Sequence, residues 1–480
     1  MPNQDLVAIV LAAGRGTRMK SALSKVLHPA AGRPLVHFPV RAALAAGASR
    51  VVVVVSPENH DSIAAYLSGA FGRERVRFAV QDPPRGTGDA ARVGLTSARS
   101  PSRVAILCGD TPLVRAEDIQ ALVSALDHTP GAELSFMTCT LSEPGSYGRV
   151  LRDQAGEVRA IREAKDLESA EEARIQEVNA GVYAAHAPFL SQALEGLRAD
   201  NAQGELYLTD VIAAAAARGG ALGVAGSEEA MLGVNDRADL AEAERRLYQR
   251  IAVQHGRAGV TVRGAPRIDD TVTIASGAII DDGVSLRGRT EVAEGAMVDV
   301  GCVVTDSKIG ENAMLKPYSV VIGSVVGEWA EVGPFAHLRP ETQLDEKARV
   351  GNFVEVKKTR LRRGAKASHL SYLGDGDIGE NANIGAGTIF CNYDGFKKHR
   401  TVIGANAFIG SDSQLVAPVT VAPGAYVATG TTVTSDVPED ALAISRVKQE
   451  NKPGYSKRLK ARLQAVAREE TEKLKVDGTK

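Results

Sequence analysis

The second half of this chain follows a six-residue repeat, and this repeat limits its possible folds more than any other feature. From about residue 261, an aliphatic residue recurs every six positions, followed by a small or polar residue and a turn. A unit of this length takes one flat face of a triangular coil, with its aliphatic side chain on the shared axis. The repeat predicts a left-handed parallel β-helix over residues 261–446. Three runs keep the register: Ile268, Ile274, Ile280, Leu286, Val292 and Val298; Val326, Val332, Leu338, Leu344, Val350 and Val356; and Ile403, Ile409, Leu415, Val421, Val427 and Val433.

Two segments break the six-residue register, residues 357–376 and 390–400. Function is often carried by loops that leave a rigid solenoid. We therefore expect both segments to be loops and to hold functional side chains.

The first half has a different pattern, in which short β-branched runs alternate with Ala- and Leu-rich stretches. The runs cover residues 6–11, 51–55 and 104–107. This alternation predicts a βαβ series with a largely parallel sheet, and a Rossmann-like domain over residues 1–235. In such sheets, ligands bind beyond the carboxyl ends of the strands. Residues 236–260 are predicted to form a charged helical arm. Residues 447–480 are predicted to form a basic tail with a helical stretch at 457–474. We expect this tail to be a solvated end of the chain rather than a nucleic-acid-binding segment.

Composition excludes several classes of function. The 480 residues carry a formal net charge of -1, which does not favour a nucleic-acid or membrane partner. No basic segment leads into a long apolar run, so we expect a cytoplasmic protein without membrane insertion. The four cysteines, Cys108, Cys139, Cys302 and Cys391, include no Cys-x-x-Cys pair. They are expected to be reduced and mostly structural.

A glycine-rich loop follows the first strand with the sequence L-A-A-G-R-G-T-R-M, residues 11–19. Small residues let backbone N–H groups approach a triphosphate, and Arg18 and Lys25 can neutralise its charge. An ordinary βα turn is the alternative for this motif alone. Two further signals support the nucleotide interpretation: a second Gly-Thr-Gly loop at Gly86, and Asp110 at the end of a strand. A carboxylate in that position suits Mg²⁺, although it could instead cap the next helix.

The glycine-rich loop resembles the signature of sugar-1-phosphate nucleotidyltransferases, differing at Ser24, where that family has proline. With the six-residue repeat attached, the sequence resembles the bifunctional N-acetylglucosamine-1-phosphate uridylyltransferase/glucosamine-1-phosphate acetyltransferase family from residue 6 to about 446. The resemblance implies synthesis of UDP-N-acetylglucosamine for cell-envelope precursors, with Mg²⁺ held by Asp110 and Asn235. It further implies a UTP site formed by Leu11, Ala12, Ala13, Gly14, Lys25, Gln81, Gly86 and Thr87. The implied site for N-acetylglucosamine-1-phosphate is formed by Gly148, Glu163, Asn179 and Asn235.

The breaks in the repeat are rich in reactive side chains, which indicates a second site. Arg339 and Lys357 can clamp a phosphate, and Tyr372 can donate a hydrogen bond. Histidine is the residue type whose ordinary pKa suits a general base near neutrality, and His369 is the histidine of this group. The family resemblance makes His369 the base that deprotonates glucosamine-1-phosphate for attack on acetyl-CoA, with Glu355 orienting its ring.

The same resemblance assigns the remaining ligand contacts of the second site. It implies that Asn383 joins the sugar-phosphate contacts, and that the loop at 395–400 reaches an adjacent chain of a homotrimer. Thr429 stands where the family pattern has alanine. The implied acetyl-CoA contacts are Ala386, Asn392, Tyr393, Ser411, Thr429 and Arg446.

Two other classes of protein combine these folds. ADP-glucose and GDP-mannose pyrophosphorylases join a nucleotidyltransferase domain to β-helical repeats, but usually to fewer of them and without a histidine cluster. Regulatory subunits of a translation exchange factor use both folds as a binding scaffold, in which Lys25, Asp110 and Asn235 would have no role. The sequence favours the bifunctional enzyme over both alternatives.

Overall fold

The computed structural model describes residues 5–14, 16–99 and 101–477, with side chains in the last helix described to residue 472. The chain divides into two compact units, Met1–Pro340 and Glu341–Lys480. The first unit holds an α/β domain, a long helix and the first coils of a β-helix. The second unit holds further coils and a C-terminal helix.

The α/β domain is built from short strands and helices that alternate along the chain. Its strands are Leu6–Leu11 (β1), Pro29–Ala30 (β2), Arg33–Pro34 (β3), Arg50–Val55 (β4), Val76–Val80 (β5), Arg103–Cys108 (β6), Leu134–Thr140 (β7), Arg149–Arg152 (β8), Val158–Arg162 (β9), Glu177–His186 (β10) and Ala221–Ala225 (β11). Its helices are His37–Ala45 (α1), His60–Phe71 (α2), Thr87–Ser97 (α3), Ala116–His128 (α4), Ala170–Ala173 (α5), Ala187–Glu195 (α6) and Asp210–Ala216 (α7), with short 3₁₀ turns at Thr17–Met19 and Lys25–Leu27.

The central sheet confirms the predicted parallel core. Its strand order is β11-β7-β10-β6-β1-β4-β5, and β1 pairs in parallel with both β4 and β6. These strands are almost continuous runs of buried aliphatic residues because helices cover both faces of a parallel sheet. The departures from the parallel pattern centre on β10, which runs antiparallel to β6 and β7, and on β8, which pairs antiparallel with β10 and β9.

A 21-residue helix, Arg237–Arg257 (α8), follows the α/β domain. Asp236 caps its first turn by accepting from the amides of Ala238 and Asp239, at 2.8 and 3.0 Å. Ala243, Leu247 and Ile251 form its buried stripe. Charged and polar side chains cover the rest of the helix surface, as the sequence pattern predicts.

The β-helix strands stack in parallel in three sheets. In the first unit the sheets contain Thr261–Val262, Ile279–Ile280, Met297–Val298, Met314–Leu315 and Glu331–Val332; Arg267–Ile268, Ser285–Arg287, Val303–Thr305, Val320–Ile322 and His337–Leu338; and Thr273–Ile274, Glu291–Val292, Lys308–Ile309 and Val325–Val326. Thr261 pairs with Ile279, and Ile279 with Met297, so that each turn of the coil returns to the same face. This is the left-handed parallel β-helix that the repeat predicts.

The second unit continues the same architecture. Its sheets contain Arg349–Asn352, Lys366–His369, Asn383–Ile384, Phe408–Ile409, Tyr426–Val427 and Leu442–Ala443; Glu355–Lys357, Tyr372–Gly374, Ile389–Cys391, Gln414–Val416 and Thr432–Val433; and Gln343–Leu344, Arg360–Leu361, Gly376–Ile378, Thr401–Ile403 and Val419–Val421. The helix Tyr455–Asp477 (α9) follows, and its described side chains are largely exposed.

The expectation that residues 357–376 form a loop was wrong. The chain stays in the coil through this segment, in the strands Arg360–Leu361, Lys366–His369 and Tyr372–Gly374. Ala367 and Leu373 occupy the inward positions and are fully buried. The repeat is hard to see here because alanine replaces the large aliphatic residue and because one unit, between Val356 and Leu361, is shorter. In the second segment, residues 390–391 belong to the strand Ile389–Cys391, so the prediction was wrong for them, but residues 392–400 do leave the coil. We call residues 392–400 the excursion loop.

The buried residue His37 makes the stability of the α/β domain dependent on pH. Burial and then the nearby Arg33 and Arg41 lower the pKa of His37 from 6.5 to about 4. The neutral imidazole is therefore favoured in the folded state, so its contribution is complete above pH 6.5 and is lost as pH falls toward 4. The shift corresponds to about 3 kcal/mol.

We expect the His37→Phe variant to lose stability less steeply than the unmodified protein as the pH falls from 6.5 to 4.5. Phenylalanine can keep the ring packing against Phe38 and Phe71 without acquiring a charge. Thermal unfolding of both proteins across this range measures the difference. Parallel curves would show that protonation of His37 does not contribute.

Candidate functional sites

The predicted nucleotide site lies at the carboxyl ends of β1 and β6. The Ala12 amide donates to the Val54 carbonyl at 2.8 Å, and the Gly109 amide donates to Leu11 at the same distance. These bonds hold the glycine-rich loop close to the end of β6. A Cβ added at Gly14 would meet no atom of the described, non-adjacent residues within 4 Å. The loop is therefore anchored on both sides and open above Gly14, which leaves room for a phosphate chain.

Lys25 and Asp110 form an ion pair at this edge of the sheet, and both side chains are mostly buried. Lys25 packs under Gly16, whose φ of 59° and close approach to the lysine both require glycine. The predicted catalytic lysine and the predicted metal carboxylate are thus brought together from positions far apart in the chain.

Asn235 lies in a segment joined to the same edge. The Val234 amide donates to the Asp110 carbonyl at 2.9 Å, and Arg18 donates to the Asn235 amide oxygen at 2.9 Å. Within the described residues, no group of three His, Cys, Asp or Glu side chains could hold a metal ion. Mg²⁺ is commonly held by one or two protein oxygens, with water and substrate phosphates completing its shell. The Asp110 carboxylate and the Asn235 amide oxygen fit that role.

The structure also shows a residue that sequence reasoning missed. Asn59 is buried and donates from its amide to the Ala12 carbonyl at 2.9 Å and to the Ser24 hydroxyl at 3.2 Å. It therefore ties the glycine-rich loop to the turn that carries Lys25. Ser24, the departure from the family pattern, is held by this bond. The only sequence signal was the position of Asn59 shortly after strand β4.

Gln81 and Thr87 lie at the second loop and make contacts within the protein. The amide nitrogen of Gln81 donates to the Gly86 carbonyl at 3.0 Å and to Asp89 at 2.9 Å. The Thr87 hydroxyl accepts from the Leu208 amide at 3.0 Å. These bonds orient Gln81 and fix the start of α3, which leaves the Gln81 amide oxygen for recognition of a base.

Three of the four residues predicted to hold the sugar come together, while the fourth, Asn235, lies beside Asp110. The backbone N–H of Asn179 donates to the Gly148 carbonyl at 2.9 Å, and a Cβ added at Gly148 would lie 3.5 Å from the Glu163 carboxylate. The Thr209 hydroxyl, which sequence reasoning missed, donates to Glu163 at 3.0 Å. Burial raises the pKa of Glu163. A half-buried carboxylate beside a glycine is suited to accept hydrogen bonds from sugar hydroxyls.

The second group of predicted residues forms a column along the β-helix. Ala367 pairs with Ile384 and Tyr372 with Ile389, so Ala386 is the counterpart of His369 on the next coil. Counting in the same way through the following coils places Ser411 beside Ala386 and Thr429 beside Ser411. The predicted base and three predicted acetyl-CoA contacts therefore occupy one edge of the solenoid.

Other predicted residues lie next to this column. Arg446 donates to the Thr429 carbonyl at 2.8 Å, so Arg446 contacts the backbone of Thr429 rather than its side chain. Asn383 pairs with Lys366, at the other end of the strand that ends at His369. His369 itself is exposed, which is not the position of a packed core histidine.

A polar cluster lies on the sheet next to the one that contains His369. Glu355 pairs with Tyr372, and Lys357 pairs with Gly374. A Cβ added at Gly374 would lie 2.5 Å from the Tyr372 hydroxyl and 2.6 Å from the Asn392 amide nitrogen. These two side chains therefore converge over Gly374, and Asn392 also donates to Asp375 at 2.6 Å.

Tyr393 and Arg339 are the two remaining residues predicted for acetyl transfer. Tyr393 lies in the excursion loop and is exposed. Arg339 lies near the end of the first unit, where its carbonyl accepts from the Ser324 hydroxyl at 3.0 Å.

The fold and these residues define a class: a nucleotidyltransferase domain joined to a hexapeptide-repeat β-helix. Residues 8–178 match the family model of the MobA-like NTP transferase domain. The chain is 57% identical over 467 residues to the bifunctional protein GlmU of Sorangium cellulosum (strain So ce56), covering 96% of this chain and 98% of that protein. It is 45% identical over 463 residues to GlmU of Pelobacter propionicus, covering 95% and 99%, and 48% identical over 464 residues to GlmU of an Anaeromyxobacter species, covering 96% and 94%.

This chain belongs to the GlmU family of bifunctional proteins. The relatives match along nearly the whole chain, so both halves are included in the likeness. That full-length match favours the bifunctional enzyme over the two alternative classes that share these folds.

Proposed function

We propose that this protein acetylates glucosamine-1-phosphate with acetyl-CoA and then couples N-acetylglucosamine-1-phosphate to UTP, releasing pyrophosphate and UDP-N-acetylglucosamine. The product is a precursor for the cell envelope. One observation carries the proposal: two sites of different chemistry lie in the two units, the Lys25–Asp110 pair under a glycine-rich loop and the His369 column on the β-helix. The proposed domains are 1–235 for uridylyl transfer, 236–260 for the arm, 261–446 for acetyl transfer and 447–480 for the tail.

In uridylyl transfer, a phosphate oxygen of N-acetylglucosamine-1-phosphate attacks the α-phosphorus of UTP and pyrophosphate leaves. The attacking group is already an anion, so the protein needs no nucleophile of its own. Its task is to position two mutually repelling anions and to stabilise the charge that develops on phosphorus. Lys25 and Arg18 supply positive charge for this purpose.

Asp110 and Asn235 would hold Mg²⁺ in this site. When bound, Mg²⁺ neutralises part of the phosphate charge. The Asp110 carboxylate pairs with Lys25, and the Asn235 amide oxygen accepts from Arg18. Those cations are therefore already placed where phosphate oxygens would bind.

The sugar is held apart from the phosphates. Gly148 leaves room beside Glu163, and Asn179 and Glu163 can bond to sugar hydroxyls and the acetamido group. Gln81 would read the uracil edge with its amide oxygen, since its amide nitrogen is engaged within the protein.

In acetyl transfer, the amine of glucosamine-1-phosphate attacks the thioester carbonyl directly, and coenzyme A leaves. His369 accepts the proton that the amine must lose. Glu355 orients the imidazole, and Arg339, Lys357, Tyr372 and Asn383 bind the sugar phosphate. The coenzyme lies along the column, against Ala386, Asn392, Tyr393, Ser411, Thr429 and Arg446.

A cysteine relay is not needed for this reaction. Burial raises the pKa of Cys108 to about 12 and that of Cys302 to about 11, so both thiols stay protonated at neutral pH. All four cysteines are free, in keeping with a reducing compartment. No described helix is both long and apolar enough to cross a membrane. We infer a cytoplasmic location from the free thiols and from the proposed substrates.

The proposal is tested by supplying glucosamine-1-phosphate, acetyl-CoA, UTP and Mg²⁺ together and identifying the products by mass. The full mixture should yield UDP-N-acetylglucosamine, free coenzyme A and pyrophosphate. Without acetyl-CoA the UDP-sugar should not form, and without UTP the reaction should stop at N-acetylglucosamine-1-phosphate. Formation of a UDP-sugar from glucose-1-phosphate alone at a comparable rate would contradict the proposed substrate.

The proposed assembly is a homotrimer, and exposed apolar side chains on the β-helix support it. In the first unit, Tyr318 and Phe335 stack at 5.4 Å on one corner of successive coils, and both are about half exposed. In the second unit, Phe353 and Leu370 are exposed on successive coils. Such a stripe is costly in water and is explained if another copy of the chain covers it.

Phe396→Asp should weaken the assembly and lower acetyl transfer. Asp394 braces the excursion loop by accepting from the amides of Phe396 and Lys397 at 2.8 and 2.7 Å, and the Phe396 side chain is 94% exposed at its tip. A charge there would oppose insertion into a neighbouring chain. Light scattering at micromolar concentration should report a trimer for the unmodified protein and smaller species for the variant. A fully acetylating monomer would contradict the proposal.

A further inference from the structure

The β2–β3 hairpin, which follows Lys25 in the chain, is contacted by three carboxylates from outside the α/β domain. We call Glu244, on α8, and Asp269 and Asp270, on the first coil of the β-helix, the acidic clasp. The hairpin consists of β2, β3 and the tight turn Ala31–Gly32, in which both residues have positive φ. Nothing in the uridylyl-transfer mechanism above uses the clasp.

Asp270 makes the strongest contacts of the clasp. Its carboxylate accepts from Arg33 at 3.2 Å and from Arg41 at 2.5 Å, and its side chain is only 10% exposed. Its amide also donates to the Ala31 carbonyl at 2.9 Å. A buried carboxylate between two guanidinium groups balances their charge, so its loss leaves two like charges facing each other.

The other two carboxylates hold the tip of the hairpin. Glu244 accepts from the Ala31 amide at 3.2 Å. Asp269 packs directly against Gly32, where an added Cβ would lie 2.7 Å from the aspartate Cγ. The hairpin is thus fixed by an ion pair at its base and by backbone contacts at its tip.

A short path of backbone bonds joins the hairpin to Lys25. The Val36 amide, just after β3, donates to the Val26 carbonyl at 3.0 Å, and the Leu35 amide donates to His28 at 3.0 Å. Val26 belongs to the same 3₁₀ turn as Lys25. Displacement of the hairpin would therefore move the turn that aims the Lys25 ammonium at Asp110.

We propose that Asp270 is a positioning residue for uridylyl transfer, through which the first coil of the β-helix holds Lys25 in place. This inference rests on the proposed function of the α/β domain. It gives the β-helix a second role, as a support for the nucleotide site in addition to carrying the acetyl-transfer site.

The test compares two full-length variants that each remove one carboxylate charge from the first coils. Asp270→Asn should lower kcat for uridylyl transfer about tenfold with a smaller change in KM for UTP, because Lys25 acts mainly on the transition state. Asp281→Asn is the matched control, since Asp281 pairs with Arg263 on the coil and not with the hairpin. The control should keep its full rate, and Asp270→Glu should recover most of the loss.

A double-mutant cycle with Lys25→Met separates positioning from general destabilisation. If Asp270 acts through Lys25, Asp270→Asn should cost little further activity in the Lys25→Met background. An equal loss in both backgrounds, or no loss in Asp270→Asn alone, would overturn the inference. Acetyl transfer should be unchanged in Asp270→Asn; if it falls and the variant is misfolded, Arg33→Gln takes its place and should show the same dependence on Lys25.

The result is distinct from a failure of the proposed function. If the unmodified protein makes no UDP-sugar, the proposed function is wrong. If it does and the cycle shows no coupling, only the role of Asp270 is wrong.

Discussion

His369→Ala should lower acetyl-transfer turnover by roughly a hundredfold or more, while uridylyl transfer stays unchanged. The amine of glucosamine-1-phosphate is mostly protonated near neutral pH and must lose a proton before it can attack the thioester. The variant removes the base and leaves Lys357, Tyr372 and Asn383 in place, so binding of the sugar phosphate should change little. The loss should therefore appear in kcat rather than in KM.

Steady-state rates of both half-reactions in the purified variant decide this prediction. His128→Ala is a suitable control, because His128 is an exposed histidine on α4 of the α/β domain, where its ring bonds to Ser124 of the same helix. Retained acetylation in His369→Ala would make His369 structural. Loss of both activities would indicate misfolding instead.

Asp110→Asn should abolish uridylyl transfer and leave acetyl transfer intact. Removing this charge weakens the proposed Mg²⁺ site where phosphate charge accumulates, and it also removes the ion-pair partner of Lys25. The shape of the side chain is kept, so the change tests charge rather than packing.

Both half-reactions should be assayed over a range of Mg²⁺ concentrations. Asp127→Asn provides a control in the same domain, since Asp127 pairs with Arg103 away from the glycine-rich loop. Near-normal uridylyl transfer by Asp110→Asn at limiting Mg²⁺ would exclude Asp110 from the site. Loss of acetyl transfer as well would point to a folding defect.

Much of the fold could be predicted because the patterns that specify it are local. The six-residue repeat places a side chain on the axis of the coil wherever it is kept, and the residues of the third run, from Ile403 to Val433, are all buried. The three predicted runs of the α/β core also match β1, β4 and β6 to within one residue at each end, since continuous β-branched runs mark buried parallel strands. Prediction failed at residues 357–376, where a small inward residue hides the register.

The candidate sites were predictable to a different degree. Motifs on one loop, such as the glycine-rich sequence and Lys25, are visible because their spacing is local. Asn59 and Thr209 were missed because each reaches the site from another connection of the fold, and no short motif marks them. The roles proposed for the individual site residues stay predictions until the variants are assayed.

The sequence by itself determined the class of each half and the family of the chain, because repeats, strand runs and loop motifs act over a few residues. Only the tertiary structure decided which distant groups meet: the pairing of Lys25 with Asp110, the alignment of His369 with Ala386, Ser411 and Thr429, and the grip of Asp270 on the hairpin. Each of these depends on the register of strands or the packing of elements far apart in the chain. Such contacts are set by the burial and pairing of whole elements, which no local pattern of residues records.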